Sequence, residues 1–379
     1  MARSYREMNW FRESSYHKWM VKEGVPIHEG HGVTDVHALE LGDWERMGGR
    51  GAFIDLMGME GLTGMYVAEI PAGGTLRPER HMYDELIYIL SGRGSMRLWS
   101  GQREDPGDRS TVVEWEAGAL FAPPCNTWHQ LYNLSGDEPV RFLGVTIAPI
   151  VMDVYHNTRF VFDCDFTFDD RFDGRPDFFD QTEPSWFEPQ RAWLWETNLI
   201  PDARGPVLKE GSSMGGGGWG MSYQMGSNIL VGHIAEWSVG RYRKAHYHGG
   251  GAIVLITAGK GYTLLWPKEV GIRPFETGHG SEVVRVDWHE GSVVSPPSGW
   301  FHQHFNTGPT KVRQVALRLG SKRFGVQFHD IGVREGQQVS VMDNGTMIEY
   351  EDEDPEISRL YQAELAKTGV EYQMEPVLR

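Results

Sequence analysis

Two histidines in the second half of the chain have the spacing of metal ligands on one β-strand. His246 and His248 are separated by one residue within a β-rich run, and alternate residues of a strand lie on the same face of its sheet. A third histidine, His302, follows a Pro-Pro-Ser-Gly turn that could bring a neighbouring strand to the same point. Neutral imidazoles suit Fe(II), Mn, Co, Ni, Cu or Zn. The pattern therefore predicts a divalent metal site formed by these three side chains.

The position four residues after His248 holds Ala252, where a carboxylate often completes a metal site of this spacing. Three histidines alone leave about three positions open on a six-coordinate metal, and they leave its double positive charge unreduced. We expect such a site to bind an anionic substrate through two oxygens, for example a catecholate, a hydroxybenzoate or a β-diketonate, and to leave room for O2.

Two further residues are candidates for catalysis near this site. His304 has the strand parity of His302, and its ring titrates near neutral pH, so it could act as an acid, a base or a hydrogen-bond donor. A packed barrel histidine is the alternative. Arg318 shares a strand face with Gln314 and Ala316. If that face lines the cavity, Arg318 would bind a carboxylate through two hydrogen bonds; otherwise it is an exposed or salt-bridged arginine.

The sequence also repeats itself, with a period of roughly 170 residues. One pair of matching blocks starts at Ile70 (IPAGGTLRPERHMYDELIYILSGRGSMRLW) and Glu236 (EWSVGRYRKAHYHGGGAIVLITAGKGYTLLW). A second pair starts at Glu116 (EAGALFAPPCNTWHQLYNLSG) and Glu290 (EGSVVSPPSGWFHQHFNTG). The blocks alternate short β-rich runs with turn residues, a pattern typical of a sandwich or barrel. The chain is therefore predicted to contain two homologous β domains.

These blocks resemble the two motifs of the cupin superfamily, whose members are small double-stranded β-helix (jelly-roll) barrels. In the second half the motif positions are Gly240, His246, His248, Ala252 and Gly259, then Gly291, Pro297, Gly299, His302 and Asn306. In the first half they are Gly73, Glu79, His81, Glu85 and Gly92, then Gly118, Pro124, Asn126, His129 and Asn133. The resemblance implies an all-β chain of two tandem cupin barrels, a bicupin, with flanking helical arms.

The repeat and the segments around it give a predicted domain organisation. The segments are an N-terminal helical arm (1–44), an N-terminal cupin barrel (45–156), an acidic aromatic connector (157–212), a C-terminal cupin barrel (213–335) and a C-terminal extension with a helix (336–379). In that extension Asp354 is the expected helix N-cap, Pro355 lies in the first turn and Gly369 ends the helix.

The first half carries a different set of side chains at the ligand positions. A possible second metal site, with two histidines and two carboxylates, consists of Glu79, His81, Glu85 and His129. Such a set suits a harder divalent ion. Equally, the motif could be a remnant in which Glu79 pairs with Arg77 or Arg80 and side chains fill the barrel.

Alanine at the glutamate position is similar to the pattern of gentisate and salicylate dioxygenases, which are bicupins with a three-histidine iron. In those enzymes the iron lies in the N-terminal cupin, whereas the three histidines here lie in the C-terminal half. The resemblance implies a mononuclear non-haem dioxygenase, with Fe(II) as the expected metal, that acts on a small aromatic or dicarbonyl acid. The alternatives are an oxygen-independent lyase, decarboxylase or isomerase at the same metal, and a non-catalytic metal- or ligand-binding bicupin.

Composition narrows the possible partners. The formal net charge of −16 argues against nucleic acid, which needs a basic surface. No apolar run approaches the roughly 20 residues of a membrane helix, and the N-terminus lacks the apolar core of a secretory signal. The two cysteines form no disulfide framework, so a cytoplasmic protein is expected. We expect a small anionic organic substrate, O2 if the reaction is oxidative, and a homo-oligomer whose aromatic arms cover sheet edges.

Overall fold

The computed structural model of the chain consists mainly of strands arranged in two barrels, each built from one large and one three-stranded sheet. It describes residues 14–101, 110–188, 192–211, 214–225, 228–320 and 339–375. The predicted fold class, two tandem jelly-roll barrels, is confirmed. Within the described residues, no helix is long and apolar enough to cross a membrane. Oligomeric state and cellular location stay predictions.

The first barrel has its strands in the following spatial order. The large sheet runs β1 (Ile27–Gly30), β4 (Gly49–Leu56), β5 (Gly64–Ile70), β11 (Val140–Thr146), β6 (Glu85–Ser91), β9 (Leu120–Phe121) and β14 (Leu199–Ile200), with β3 (Gly42–Trp44) paired to β4. The small sheet runs β10 (Trp128–Asn133), β7 (Arg93–Trp99) and β8 (Ser110–Glu116).

The second barrel repeats this order. Its large sheet runs β12 (Ser185–Phe187), β13 (Ala192–Thr197), β16 (Trp219–Met225), β17 (Leu230–Trp237), β23 (Val312–Leu319), β18 (Ala252–Ala258), β21 (Val293–Val294) and β2 (Gly32–Val33), with β15 (Glu210–Gly211) paired to β16. Its small sheet runs β20 (Val284–His289), β19 (Lys260–Pro267) and β22 (Trp300–Asn306). The helices are α1 (Ser15–Glu23), α2 (Ala148–Tyr155), α3 (Thr158–Phe162) and α4 (Pro355–Thr368).

The two halves of the chain exchange strands. β2, from the N-terminal segment, pairs with β21 of the second barrel, whereas β14, from the connector, pairs with β9 of the first barrel. β1 and β13 are also equivalent, since β1 pairs in parallel with β4 and β13 pairs in parallel with β16, the corresponding strand of the second barrel. The structural repeat therefore begins earlier than the sequence repeat, and each large sheet is completed by a strand from the other half.

The segments outside the predicted barrels differ from their predicted form. The described part of the N-terminal arm contains the short helix α1, which Gly24 caps in the left-handed conformation, and then contributes β1, β2 and β3. The connector contributes β12 to β15. Apart from β1 and β13, these strands have only two or three residues, too few to show an alternation that sequence could reveal. The predicted boundaries at 212/213 and 335/336 both lie outside the described residues.

The C-terminal helix is confirmed in its predicted bounds and packs on the outside of the second barrel. Asp354 caps its first turn and Gly369 follows its end in the left-handed conformation. Its buried side chains Ile357, Tyr361 and Leu365 belong to an apolar cluster with residues of the small sheet. The segment before the helix pairs with the stretch that carries His246, because Ile348 N–H donates to the Ala245 carbonyl at 2.8 Å and Tyr247 N–H donates to the Thr346 carbonyl at 3.1 Å.

A buried carboxyl lies in this contact. Glu353 accepts hydrogen bonds from the Tyr242 hydroxyl and from Gln303 Nε2, the latter at 3.0 Å. Burial raises the pKa of Glu353 to about 7, although both hydrogen bonds oppose the rise. Because this carboxyl is more stable in its neutral form, the folded state loses stability as pH increases and the group ionises.

The free energy of unfolding of the unmodified chain should decrease as pH rises, and we expect Glu353→Gln to remove the part of this decrease that Glu353 causes. The protonated Glu353 stabilises the fold fully below its ordinary pKa of 4.5, and this contribution disappears as pH rises through about 7. The change amounts to about 3 kcal/mol at most, from the pKa difference. Urea unfolding at pH 5 and pH 8 measures it, with the exposed Glu351→Gln as control. Parallel pH dependence in Glu353→Gln and the unmodified chain would contradict the expectation.

Candidate metal centres

An antiparallel backbone pair brings the first and third ligand positions together in each barrel. In the second barrel His246 N–H donates to the His302 carbonyl at 3.2 Å, and His302 N–H donates back to His246 at 2.9 Å. In the first barrel Glu79 and His129 form the same pair, at 3.0 and 2.9 Å. Residues paired in this way have adjacent side chains on one face. The backbone therefore offers the same ligand positions in both barrels.

The structure brings the three predicted histidines of the second barrel together. One ring nitrogen from each of His246, His248 and His302 lies within 4.8 Å of the others. The His302 ring centroid is 4.1 Å from that of His246 and 4.7 Å from that of His248. His302 is buried, whereas the other two side chains are partly exposed. We call this set the second cluster.

The protonation of the rings suits metal binding. His248 Nδ1 lies 2.7 Å from the Gly249 carbonyl, and His302 Nδ1 lies 3.3 Å from the Trp300 carbonyl. A carbonyl can only accept, so each Nδ1 carries the proton and each Nε2 keeps its lone pair. The His246 ring is held in a similar way, since the backbone of Lys244 acts on it as a hydrogen-bond partner. The Nε2 atoms of His248 and His302, together with one ring nitrogen of His246, are a donor set that suits a divalent transition metal.

The surroundings keep the rings of His246 and His302 neutral. Desolvation lowers the pKa of His246 well below its ordinary value, and the neighbouring His248 and Arg243 lower it further. Burial also lowers the pKa of His302 well below its ordinary value, and the neighbouring His246 and His248 lower it further. Neutral imidazole is the form that binds metals.

The wall beside the second cluster carries the opposite charge from the wall of the first barrel. In the first barrel Glu85 on β6 lies opposite Thr146 on β11. At the equivalent positions of the second barrel Ala252 on β18 lies opposite Arg318 on β23. Directly opposed residues share a sheet face, so Arg318 lies on the face of the absent acid, and its side chain is exposed. The first barrel therefore has an acidic residue at this point of the wall, and the second barrel has a basic residue.

His304 is held by a hydrogen-bond chain inside the second barrel. Trp288 Nε1 donates to Thr263 Oγ1 at 2.9 Å, and Thr263 Oγ1 lies 2.8 Å from His304 Nδ1. Thr263 is fully buried, so its hydroxyl proton is best satisfied by donation to Nδ1. The neutral ring then carries its proton on Nε2. Burial, followed by the Arg243 charge, lowers the pKa of His304 to about 3. His304 is therefore a hydrogen-bond donor at neutral pH.

Arg243 is a buried cation that sequence analysis missed. Its guanidinium carbon lies 5.6 Å from the centroid of the Trp237 ring, and its charge acts on His246, His304 and His233. Burial lowers the pKa of Arg243 to about 10. The only sequence signal was its place three residues before His246, in a segment without strand alternation.

Three of the four candidates in the first barrel also converge. Ligand atoms of His81, Glu85 and His129 lie within 4.8 Å of one another, and all three side chains are buried. Glu85 Oε2 lies 3.3 Å from His81 Nε2 and 3.9 Å from His129 Nε2. The hydroxyl of Tyr66 donates to the other Glu85 oxygen at 2.5 Å. We call this set the first cluster.

The first cluster fits a metal because its facing atoms are otherwise unsatisfied. His81 Nε2, His129 Nε2 and Glu85 Oε2 are buried, and within the described part of the chain none has a hydrogen-bond partner. Each Nδ1 lies near a backbone carbonyl instead, that of Tyr83 at 2.8 Å and that of Thr127 at 3.0 Å. Such orphaned polar atoms are costly unless an ion satisfies them. Two histidines and one carboxylate form a known metal-binding set.

The fourth candidate, Glu79, pairs with Arg46, and not with Arg77 or Arg80 as in the remnant alternative. Burial alone would raise the pKa of Glu79, but the Arg46 guanidinium and the His129 ring hold it well below its ordinary range. Arg46 is further surrounded by the rings of Trp19, Trp44 and Phe162, at 5.2 to 5.4 Å. Arg46 lies 33 residues before Glu79 in the chain, so sequence spacing could not identify the pair.

Residues 66–146 match the family model of the cupin domain. No curated protein matches the chain significantly. Among similar solved structures, vicilin from Corylus avellana (hazelnut) has 9% sequence identity and a TM-score of 0.45, over 76% of this chain and 85% of its own. A mutant form of Bacillus subtilis oxalate decarboxylase has 13% identity and a TM-score of 0.47, over 76% of this chain and 77% of its own. At this similarity neither structure assigns an activity to the chain.

Glu79 and Glu85 should respond differently to neutralisation. Glu79→Gln removes one of the two carboxylates that pair with Arg46, the other being Glu23. We expect a loss of about 2 kcal/mol in unfolding free energy, typical of a hydrogen bond to a charged group. It should leave metal binding by the first cluster intact. Glu85→Gln should instead abolish that binding. Denaturant unfolding in the presence of a chelator and metal content per chain measure the two effects. If Glu79→Gln lost the metal at unchanged stability, Glu79 would be a ligand.

Proposed function

We propose that this chain, a bicupin of the cupin superfamily, is a metal-dependent enzyme with its active site at the second cluster. The observation that carries the proposal is the convergence of three imidazoles in a partly exposed site without the motif carboxylate. The partly exposed ligands His246 and His248 favour access for a small molecule. The first cluster, in contrast, is buried, so we assign it a structural or auxiliary metal.

We propose a mononuclear non-haem dioxygenase that acts on a small aromatic or dicarbonyl acid, with Fe(II) as the metal. His246, His248 and His302 would hold the ion. When bound, a divalent metal supplies Lewis acidity, and Fe(II) also supplies a route for electrons to O2. Because the second cluster contains no carboxylate, the negative charge that balances the metal would come from the substrate. Substrates with two anionic or carbonyl oxygens would therefore be favoured.

The remaining polar residues would recognise and orient that acid. Arg318 lies on the inner face next to Ala252 and can bind a carboxylate with two parallel hydrogen bonds. His304 can donate from Nε2 to a substrate oxygen, because Thr263 occupies its other nitrogen. The buried Arg243 adds positive charge behind the cluster. Together they favour an anion over a neutral or cationic substrate.

Metal content and oxygen uptake test this proposal together. The protein purified without added metal should contain iron bound by the second cluster, and His248→Ala should lose that iron and all activity. Oxygen uptake is measured with hydroxybenzoates, catechols and β-dicarbonyl acids. Turnover of an acid under argon would replace the dioxygenase with an oxygen-independent lyase, decarboxylase or isomerase. Activity that survives in metal-free protein would reject both forms of the proposal.

Arg318 provides a test of substrate charge. We expect Arg318→Ala to raise KM for an acid substrate by about 10- to 100-fold, the effect of losing a charged hydrogen bond of roughly 1.5–3 kcal/mol. The metal content should not change, because Arg318 is not a ligand. Arg285→Ala is the control, since Arg285 lies on the outer strand β20 and pairs with Asp287 and Glu364. Equal KM values for Arg318→Ala and the unmodified chain would remove Arg318 from the site.

A further inference from the structure

The loop between β4 and β5 of the first barrel contacts both loops that carry ligands of the second cluster. The Gly251 N–H donates to the Gly58 carbonyl at 2.7 Å, and Thr63 Oγ1 donates to the Gly251 carbonyl at 3.3 Å. These contacts hold the glycine loop that follows His248. The Ser298 N–H donates to Glu60 Oε1 at 2.6 Å, which holds the turn that leads to His302.

The contact is close, and part of it is strained. A Cβ on Gly58 would lie 2.5 Å from the Pro296 backbone and would collide with the Ser295 carbonyl. Glu60 has a φ of 51°, in the left-handed region that non-glycine residues seldom adopt. Backbone strain of this kind persists where the surrounding structure requires it. The two ligand-bearing loops are also joined to each other, because Gly299 N–H donates to the His248 carbonyl at 3.1 Å.

The equivalent loop of the second barrel makes the reciprocal contact. Between β16 and β17, Asn228 Nδ2 donates to the Glu85 carbonyl at 2.7 Å, and Ile229 N–H donates to Asp84 Oδ2 at 2.8 Å. Asn228 and Asp84 are both buried. Glu85 is the carboxylate of the first cluster, so this loop holds the strand entry that carries a first-barrel ligand.

We propose that the two barrels position each other's metal ligands. The 57–63 loop is a positioning element for the second cluster, and Asn228 is a positioning residue for the first cluster. The part that concerns the second cluster rests on the proposed function, since it assumes a metal there. A ligand-bearing loop fixed from outside its own barrel loses less conformational freedom when its side chains bind an ion. Each centre is then fully organised only when both barrels are docked.

The proposal predicts crossed effects of two substitutions. Gly58→Ala, in the first barrel, should weaken metal binding by the second cluster about 10-fold, the usual effect of disturbing groups that orient ligands. Asn228→Ala, in the second barrel, should weaken the first cluster by a similar factor. Cobalt titrations measure each cluster separately, with His129→Ala chains reporting the second cluster and His248→Ala chains reporting the first. Gly136→Ala is the glycine control, because a Cβ there meets nothing within 4 Å.

Hydrogen exchange of the metal-free protein gives a second readout. Gly58→Ala should increase exchange in 246–251 and 297–302 but not in 81–86, and Asn228→Ala should do the reverse. Asn198→Ala, which loses a comparable bond to the Phe178 carbonyl, should change neither region. Effects confined to the mutated barrel, or spread equally over both clusters, would overturn the proposal. If the second cluster bound no cobalt in the parent chain, the proposed function would fail, while the exchange pattern would still decide the positioning.

Discussion

A pair of backbone hydrogen bonds between the segment before β18 and strand β22 sets the geometry of the second cluster. Because His246 and His302 exchange N–H and carbonyl contacts, their side chains must lie next to each other, and His248 returns to the same face two residues later. The first barrel makes the same backbone pair between Glu79 and His129. Side-chain identity at equivalent positions therefore decides what each barrel can bind.

The two barrels use this common backbone for opposite electrostatic environments. In the first, Glu85 remains and accepts from Tyr66, while Arg46 enters from an earlier segment and pairs with Glu79, whose other oxygen lies 3.8 Å from His129 Nε2. The result is a buried site with a carboxylate, suited to holding an ion without exchange. In the second, the acid is absent and Arg318 lies opposite its position. Under the proposed function, a metal held there would keep its positive charge for an exogenous anion.

Strand exchange makes the two halves interdependent. β2 and β14 each complete the large sheet of the other half, and a single apolar core includes residues of both barrels. Separation of the barrels would expose unpaired strand edges and apolar surface together. The contacts of Glu60 and Asn228 extend this interdependence to the ligand-bearing loops. Because each barrel supports the sheet and the ligand-bearing loops of the other, both copies of the domain are needed even though only one cluster is partly exposed.

The sequence by itself determined the duplicated β fold, the C-terminal helix and the three-histidine set. These depend on local alternation, on capping residues and on spacings of two to four residues, which a strand or turn converts directly into shared faces. Tertiary structure alone decided that Arg46 pairs with Glu79, that Arg243 is buried behind the histidines, and that short strands cross between halves. Each joins segments far apart in the chain, where no local periodicity relates one residue to another. The pairing of β18 with β23 likewise places Arg318 opposite Ala252, because strand register is fixed by the assembled sheet and not by either strand alone.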